Sequence, residues 1–421
     1  MGLSSQVIDT YIEILKEELV VAMGCTEPIA IAYASSVLRS LLSENPTKIK
    51  AGFSGNIIKN VKSVVVPATG GLSGLETAIC AGVIANAPQR KLEVLCALES
   101  DDAKKIAEYK NAVEIEIYEL ETENQFEVDL IADGAHVHFA KRHTNITLAE
   151  LDGVDYTENY GSKEAVIGES ADRSLLNVLD IVEFANTVEL ERVKDLVEMQ
   201  IDLNYAIAKE GIKNEWGASI GKTLIAGGTD TRIRARAYAA AGSDARMSGC
   251  EMPVCIISGS GNQGMTASIP VIIYAKDMEA SREQLIRAIL VSDLITIHQK
   301  TGIGCLSAYC GAVSAGCGAG CGIAYLNGGG FSEIAHTLVN AVAILSGTIC
   351  DGAKASCAAK IAMAVEAGIM GYEMMKSGHE FHGGEGIVVK GVERTIENIG
   401  RLARDGMSGT DKEIIKIMLE S

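Results

Sequence analysis

A stretch without charge limits what this chain can fold into. Residues 301–332 contain no Asp, Glu, Lys or Arg, so they must be buried on all sides or cross a membrane. The stretch is mostly Gly, Ala, Ser and Cys, with a GxxxG pair at Gly316 and Gly320 and a GGG end. Its hydrophobicity is low for a membrane span. It therefore predicts a soluble helix enclosed by other helices that approach closely over small side chains.

The remainder of the 421 residues divides into a mixed part and a helical part. Four segments with β-branched or alternating apolar residues predict strands: 48–54, 61–66, 91–98 and 113–120. From about residue 173 onward, apolar residues recur at helical spacing. We therefore predict an α+β protein: N-terminal helices and a mixed α/β region over 1–150, a linker over 151–172, and a mainly helical domain over 173–421.

Net charge and the N-terminus restrict the class of partner. The formal charge is −18, which argues against binding nucleic acid or an anionic membrane. Acidic residues from Asp9 to Glu18 occupy the place of a signal-peptide apolar core. We expect a cytoplasmic protein without a membrane partner, in which the eleven Cys are reduced and serve metal or catalytic roles more often than disulfides.

The segment MGCTEP, residues 23–28, places a thiol at a joint between two predicted helices. Thr26 is a good N-cap, and Pro28 suits the first turn of a helix. Cys25 would then lie just before a helix N-terminus, where unpaired N–H groups and the helix dipole favour a thiolate. The alternative is a small core residue at a tight corner between helices.

Six of the eleven Cys fall between residues 305 and 357. Cys350 and Cys357 flank the DGAKAS turn, whose backbone N–H groups can point at sulfur. CxxC pairs, which are typical of zinc sites, are absent, whereas iron–sulfur ligation tolerates irregular spacing. Cys317 and Cys321 are four residues apart on a predicted helix and can equally be packing residues. The pattern leaves a Cys-ligated metal and simple packing both open.

A glycine-rich segment follows the apolar VCIIS. GSGNQG, residues 259–264, matches G-x-G-x-x-G, but Pro270 is expected to interrupt the helix that a dinucleotide site requires. We therefore interpret Ser258, Ser260, Asn262 and Gln263 as a loop that binds a carboxylate or another small anion. Arg246 of SDARM is either a carboxylate ligand or part of a structural ion pair.

Polar groups also stand at predicted strand ends in the N-terminal half. They are Asn56 and Lys59 of GNIIKN, and His143 and Asn145 of RHTN. Such groups belong to a site or to ordinary turn chemistry.

Taken together, the motifs GCTEP, NIIKN, SDARM, SGSGNQG, LSAYC and ICDGAKASC resemble those of the iron–sulfur L-cysteine desulfidase family, which is related to the iron–sulfur L-serine dehydratase alpha chain. The resemblance covers nearly the whole chain. It implies a [4Fe–4S] cluster, no pyridoxal phosphate, and conversion of L-cysteine and water to sulfide, pyruvate and ammonia. It also implies that the mainly helical domain over 173–421 is the catalytic, iron–sulfur-binding domain. By motif, the cluster ligands would be Cys310, Cys350 and Cys357, and Cys25 would be the proton acceptor.

The resemblance also implies how such a site would act. Three protein thiolates leave one iron open as a Lewis acid for the substrate thiolate, and a base removes the Cα proton. Carboxylate binding and orientation would fall to Asn56, Lys59 and the SGSGNQG loop, with Thr26 and Glu27 as further substrate contacts. Cys305, Cys317 and Cys321 lie outside the matched positions, and Cys317 or Cys321 could replace Cys310 as a ligand.

Other functions compete with this interpretation. L-Serine dehydration could use the same site, with hydroxide as the leaving group. A pyridoxal-phosphate lyase would use Lys354 or Lys222, and a non-catalytic iron–sulfur redox protein would favour four Cys ligands. We expect a small amino acid as substrate and a homo-oligomer as the assembled form.

Overall fold

The computed structural model describes residues 2–23, 26–122, 124–140, 143–160, 171–304 and 306–420. The strands in this part of the chain are β1 (Val20–Met23), β2 (Lys48–Phe53), β3 (Glu114–Glu119), β4 (Glu127–Ala132), β5 (Ala135–Ala140), β6 (Ile146–Leu151), β7 (Val154–Asp155) and β8 (Pro253–Ile256). The α-helices are α1 (Ser5–Glu18), α2 (Thr26–Leu41), α3 (Gly55–Val61), α4 (Leu75–Ala85), α5 (Asp102–Ala112), α6 (Val178–Thr187), α7 (Lys194–Lys213), α8 (Ile220–Ala226), α9 (Thr231–Met247), α10 (Gly261–Asp277), α11 (Arg282–Ile303), α12 (Gly311–Leu326), α13 (Phe331–Leu345), α14 (Ser356–Lys376), α15 (Val392–Arg401) and α16 (Ser408–Glu420). The predicted α+β class, mixed at first and then mainly helical, is confirmed.

The N-terminal part is built on a six-stranded sheet in the order β3-β2-β4-β5-β6-β7. Strands β2 and β3 are parallel, and the other neighbours are antiparallel. Alternate residues of β4, including Val128 and Leu130, are buried, and α2 packs against β4, β5 and β6. Because side chains alternate between the two faces of a strand, one face of the sheet forms a core with α2 while the other carries polar residues.

The uncharged stretch forms α12, which is buried among α10, α11, α13 and α14. A Cβ on Gly316 would lie 2.2 Å from the Ala364 carbonyl oxygen, and one on Gly320 would lie 2.4 Å from that of Gly368. Only glycine permits this approach between α12 and α14, as the small-residue pattern predicts. In the described ranges, no helix combines the length and the apolar character that a membrane crossing requires.

Two of the four predicted strands are wrong. Val61 ends α3, and residues 62–66 form a turn and an irregular segment in which only Val65 forms a bridge, to Ser73. Residues 91–98 belong mostly to a 3₁₀-helical segment, Pro88–Ala97. In both places a buried β-branched or apolar run resembles a strand, although its side chains are buried without a ladder. GNIIKN, expected between strands, forms α3 itself.

The expected interruption of the helix at Pro270 is also wrong, because Pro270 lies inside α10. Burial of most of α10 against α9, α11 and α12 offsets the hydrogen bond that proline removes. A dinucleotide site is disfavoured on different grounds. Strand β8, which precedes the glycine loop, pairs with β1 in a two-stranded antiparallel sheet among the described residues, and not in a parallel sheet.

The expected division at residues 150 and 173 stays a prediction, and residues 161–170 of the expected linker lie outside the described ranges. Helix α1 contributes Tyr11, Ile14 and Leu15 to the hydrophobic cluster of the helical part. The N-terminus of the chain therefore packs with the C-terminal helices, while α2 packs with the sheet.

Candidate active site

Two segments about 40 residues apart pair to bring Cys310 beside Cys350. The Cys310 N–H donates to the Thr348 carbonyl oxygen at 3.0 Å, and the Cys350 N–H donates to the Ala308 carbonyl oxygen at 2.6 Å. Tyr309 and Ile349 form the antiparallel bridge between these bonds. The backbone of LSAYC is therefore fixed against that of TIC, and both thiols face the same cavity.

Cys357 reaches this cavity from the first turn of α14. Its N–H donates to the Lys354 carbonyl oxygen at 2.9 Å, and its sulfur lies 3.6 Å from the Gly352 carbonyl oxygen. Gly352 has φ +94°, and a Cβ there would lie 2.2 Å from the Lys59 carbonyl oxygen. The DGAKAS turn thus requires glycine at this position for two reasons, its left-handed backbone and its close approach to α3.

The thiols are electrostatically unequal. A hydrogen bond between Cys310 and Cys350 lowers the pKa of Cys350 and raises that of Cys310, and the ammonium groups of Lys59 and Lys360 lower the pKa of Cys350 further. Burial raises the pKa of Cys357. Lys360 is held in place by an ion pair with Asp351. The site thus supplies positive charge next to the sulfur that ionises most readily.

The three thiols line one cavity of about 100 Å³. Its walls come from α2, α3, α9, α10, α11, α12, α14 and the loops before α12 and α14. The lining residues are Glu27, Asn60, Arg246, Ser260, Asn262, Gln263, Lys300, Leu306, Ser307, Tyr309, Cys310, Gly311, Ala312, Cys350, Gly352, Ala353, Cys357 and Ile361.

The donor set of this cavity fits an iron–sulfur cluster. Cys310, Cys350 and Cys357 are all thiols, the ligand type that such clusters take from proteins, and none of the described residues that line the cavity beside them is a histidine. In the described part of the chain, no three His, Cys, Asp or Glu are arranged to hold a single metal ion. A cluster does not need that arrangement, because each thiolate binds a different iron.

The glycine loop and the start of α2 meet at the wall of this cavity. The Thr26 hydroxyl oxygen lies 2.7 Å from the Gly259 carbonyl oxygen and 2.9 Å from Glu27 Oε2. The Asn60 amide donates to Glu27 Oε1 at 3.2 Å. Helices α2 and α3 and the glycine loop therefore hold the Glu27 carboxylate in a fixed position at the cavity wall.

Of the predicted substrate contacts, Glu27, Ser260, Asn262 and Gln263 line the cavity, and the others lie next to it or elsewhere. Thr26 is buried behind Glu27. The Ser258 N–H donates to Glu18 Oε2 at 2.8 Å, outside the cavity.

Asn56 and Lys59 occupy α3. Asn56 lines a second cavity, together with Asp411 of α16. Lys59 is 2% exposed and pairs with Asp411 at 2.5 Å, so its effect on the thiols is electrostatic. Cys25 lies outside the described residues, and α2 begins at the next residue, Thr26.

The two Cys that could have replaced Cys310 lie elsewhere. Cys317 and Cys321 are 1% and 0% exposed within α12 and do not line the cavity. Burial raises the pKa of Cys317 to about 12 and that of Cys321 well above its ordinary value. Both are therefore neutral thiols packed between helices. Cys305 lies outside the described residues.

The structure adds polar residues to the cavity that the sequence did not single out, among them Asn60 and Lys300. Asn60 follows Lys59 directly, and Lys300 is the last charge before the uncharged stretch. The boundary at Lys300 was a visible signal, because a charge at the edge of a buried helix must face a partner or a cavity. Arg246, considered as a carboxylate ligand or a structural ion pair, lines the same cavity.

Comparison with known proteins gives a consistent result. The family model described as serine dehydratase alpha chain matches residues 89–416. A UPF0597 protein of Desulfitobacterium hafniense is 53% identical over 415 residues, which cover 97% of this chain and 96% of that protein. UPF0597 proteins of Lachnoclostridium phytofermentans and Treponema denticola are 46% and 41% identical, over 97% and 100% of this chain and 99% and 100% of their own lengths.

Proposed function

The chain belongs to the serine dehydratase alpha chain family, and from this premise we propose that it is an L-cysteine desulfidase. The family supports a dehydratase or lyase function. The proposed reaction is α,β-elimination, in which L-cysteine and water give hydrogen sulfide, pyruvate and ammonia. The observation that carries the proposal is the single cavity lined by Cys310, Cys350 and Cys357, the three thiols that the family motifs identify.

In this proposal Cys310, Cys350 and Cys357 hold a [4Fe–4S] cluster. Bound by three protein thiolates, the cluster supplies a Lewis acid at the iron that has no protein ligand. The chain supports such binding with charge. Lys59 and Lys360 lower the pKa of Cys350, and a buried thiolate requires a compensating charge of this kind.

The chain's own residues also have to place the substrate. The Glu27 carboxylate is fixed by Thr26 and Asn60, and the amide side chains of Asn262 and Gln263 stand at the start of α10. These groups fix the direction of the Cα–H bond through the ends of the amino acid. Orientation of this kind lowers the entropic part of the barrier.

Cys25 is the proposed proton acceptor at Cα. The support for this role is the next residue in the sequence, Thr26, which begins α2 and contacts the glycine loop at Gly259. Loss of the Cα proton and of the thiolate leaves aminoacrylate, which tautomerises and hydrolyses in water to pyruvate and ammonia. No further group on the protein is needed for those last steps.

L-Serine dehydration is the second candidate, and the description of the matched family, serine dehydratase alpha chain, favours it. The two reactions differ in the leaving group and share pyruvate and ammonia as products. Discrimination between them therefore depends on the group at Cβ, while recognition of the amino acid is common to both.

The test is an anaerobic preparation assayed with L-cysteine and L-serine at equal concentrations. We expect pyruvate and sulfide in a one-to-one ratio from L-cysteine, and a lower kcat/KM for pyruvate formation from L-serine. A higher value with L-serine would favour the dehydratase. Absence of pyruvate from both amino acids, in protein with a full iron content, would contradict an elimination reaction altogether.

A further inference from the structure

The cavity contains hydrogen-bond acceptors without donors. Asn262 Oδ1 and Gln263 Oε1 are buried and have no hydrogen-bond partner within the described residues. Gln263 as a whole is 5% exposed. A buried carbonyl oxygen of this kind is costly unless something in the cavity donates to it.

The orientation of Asn262 follows from its neighbour. Its amide nitrogen lies 3.6 Å from the sulfur of Met247, and a thioether sulfur can only accept a hydrogen bond. The nitrogen therefore faces Met247, and the oxygen is left for the cavity. The Glu27 carboxylate lines the same cavity and accepts hydrogen bonds when it is ionised. Glu27, Asn262 and Gln263 together form an acceptor wall.

Two cations line the cavity as well. Arg246 is 2% exposed and Lys300 is 5% exposed. Gly261 makes room for the first of them, because a Cβ at Gly261 would lie 2.5 Å from Arg246 Nε. Guanidinium and ammonium groups are donors only, and a guanidinium matches the geometry of a carboxylate. Arg246 and Lys300 form a cationic wall.

We infer that the cavity recognises the two charged ends of an α-amino acid separately, with the α-ammonium on the acceptor wall and the carboxylate on the cationic wall. The inference rests on the proposed function for its amino-acid substrate and adds which residues read each end. It differs from the expectation that the glycine loop holds the carboxylate, since the amide oxygens of Asn262 and Gln263 would repel an anion. Gln263 and Arg246 are thus specificity-determining residues for opposite ends of the ligand.

The test measures binding to the anaerobically purified holoenzyme by calorimetry. L-Alanine presents both ends and has no leaving group at Cβ, propionate presents only the carboxylate, and ethylamine presents only the ammonium. We expect L-alanine to bind ~10-fold or more tightly than either half, because it forms both sets of charge-assisted hydrogen bonds.

The variants should separate the two ends. Arg246→Gln should raise the dissociation constants of L-alanine and propionate ~10-fold or more and leave that of ethylamine unchanged. Gln263→Met should raise the dissociation constants of L-alanine and ethylamine and leave that of propionate unchanged. Arg282→Gln and Gln6→Met change the same residue types at exposed positions and should alter none of the three constants.

Folding is checked by circular dichroism, and Lys300→Gln provides a second variant of the cationic wall if Arg246→Gln does not fold. The inference would be overturned if one variant raised the dissociation constants of propionate and ethylamine equally. It would also be overturned if neither variant changed any of the three dissociation constants. Failure of the proposed function gives a different result. In that case L-alanine binding keeps the predicted pattern while L-cysteine and L-serine yield no pyruvate.

Discussion

Residues 310–357 contain two groups of thiols that differ in their surroundings. Cys310, Cys350 and Cys357 line a cavity beside two buried or half-buried lysines. Cys317 and Cys321 face other helices across small side chains, and among the described residues no cation lowers their pKa. The first group lies at the ends of helices and in loops, where backbone N–H groups are available. The second lies inside α12, where those groups are already bonded.

This comparison shows that the chemical behaviour of a cysteine depends on its position in the backbone. A thiol in the interior of a buried helix behaves as a small hydrophobic residue, whereas one at a helix start or in a glycine turn can be stabilised as a thiolate. Sequence clustering alone would place all five Cys in one site. The structure divides them by access to the cavity and by nearby charge.

The largest effect is expected from removing a thiol on the DGAKAS turn. Cys350→Ser and Cys357→Ser should each abolish cluster binding, because serine is a poor iron ligand and the remaining thiols are too few. Iron and acid-labile sulfide, measured after anaerobic purification, provide the check. A Cys357→Ser protein with the same iron content as the wild type would remove Cys357 from the ligand set.

Cys25 should affect turnover without affecting iron. Cys25→Ser is expected to retain the cluster and to lose ~10²–10⁴-fold in kcat, the usual consequence of removing a general base. The specific readout is exchange of the Cα proton of L-alanine with solvent deuterium. Equal exchange in wild type and variant would show that another group takes the proton, and His143 would then be tested next.

The glycine turn offers a test through the backbone. Gly352→Ala combines a positive φ with a Cβ at 2.2 Å from the Lys59 carbonyl oxygen, so it should lower the free energy of unfolding by about 1–3 kcal/mol or more and reduce iron content. Gly347→Ala is the matched control, with φ +99° and no atom within 4 Å of its Cβ. Equal effects of the two substitutions in urea unfolding and iron content would mean that the approach to α3 does not matter.

The smallest effect is expected in α12. Cys321→Ala removes one sulfur from a well-packed helix interface and should lower the free energy of unfolding by roughly 1 kcal/mol. Activity per folded molecule should stay within a few-fold of wild type. A loss of iron in this variant, with its circular dichroism unchanged, would show that Cys321 also contributes to cluster binding.

Much of this account could be predicted from the sequence, because several signals are local. The uncharged stretch predicted the buried helix α12, and the order of motifs predicted the family, which is confirmed. The spacing of Cys350 and Cys357 around a glycine turn was visible for the same reason. Alternation in 113–120 correctly predicted β3, since one residue in two faces the core.

The remainder depended on contacts between distant segments. The pairing of LSAYC with TIC joins residues about 40 apart through backbone hydrogen bonds. Such bonds do not depend on side-chain identity, so the sequence pattern does not predict them. Residues 61–66 and 91–98 resemble strands in sequence, although their apolar residues serve burial and not strand pairing. The unpartnered oxygen of Asn262 becomes visible only once Met247 is seen beside its nitrogen.

The most direct test of the division between the two groups of thiols compares Cys310→Ser with Cys317→Ala. The two residues are seven positions apart, and both are buried, but only Cys310 lines the cavity and contacts Cys350. Iron per chain is measured for both variants in parallel anaerobic preparations with the wild type. We predict that Cys310→Ser loses the cluster and that Cys317→Ala keeps the wild-type iron content. The reverse result, with iron lost from Cys317→Ala and retained in Cys310→Ser, would contradict the account.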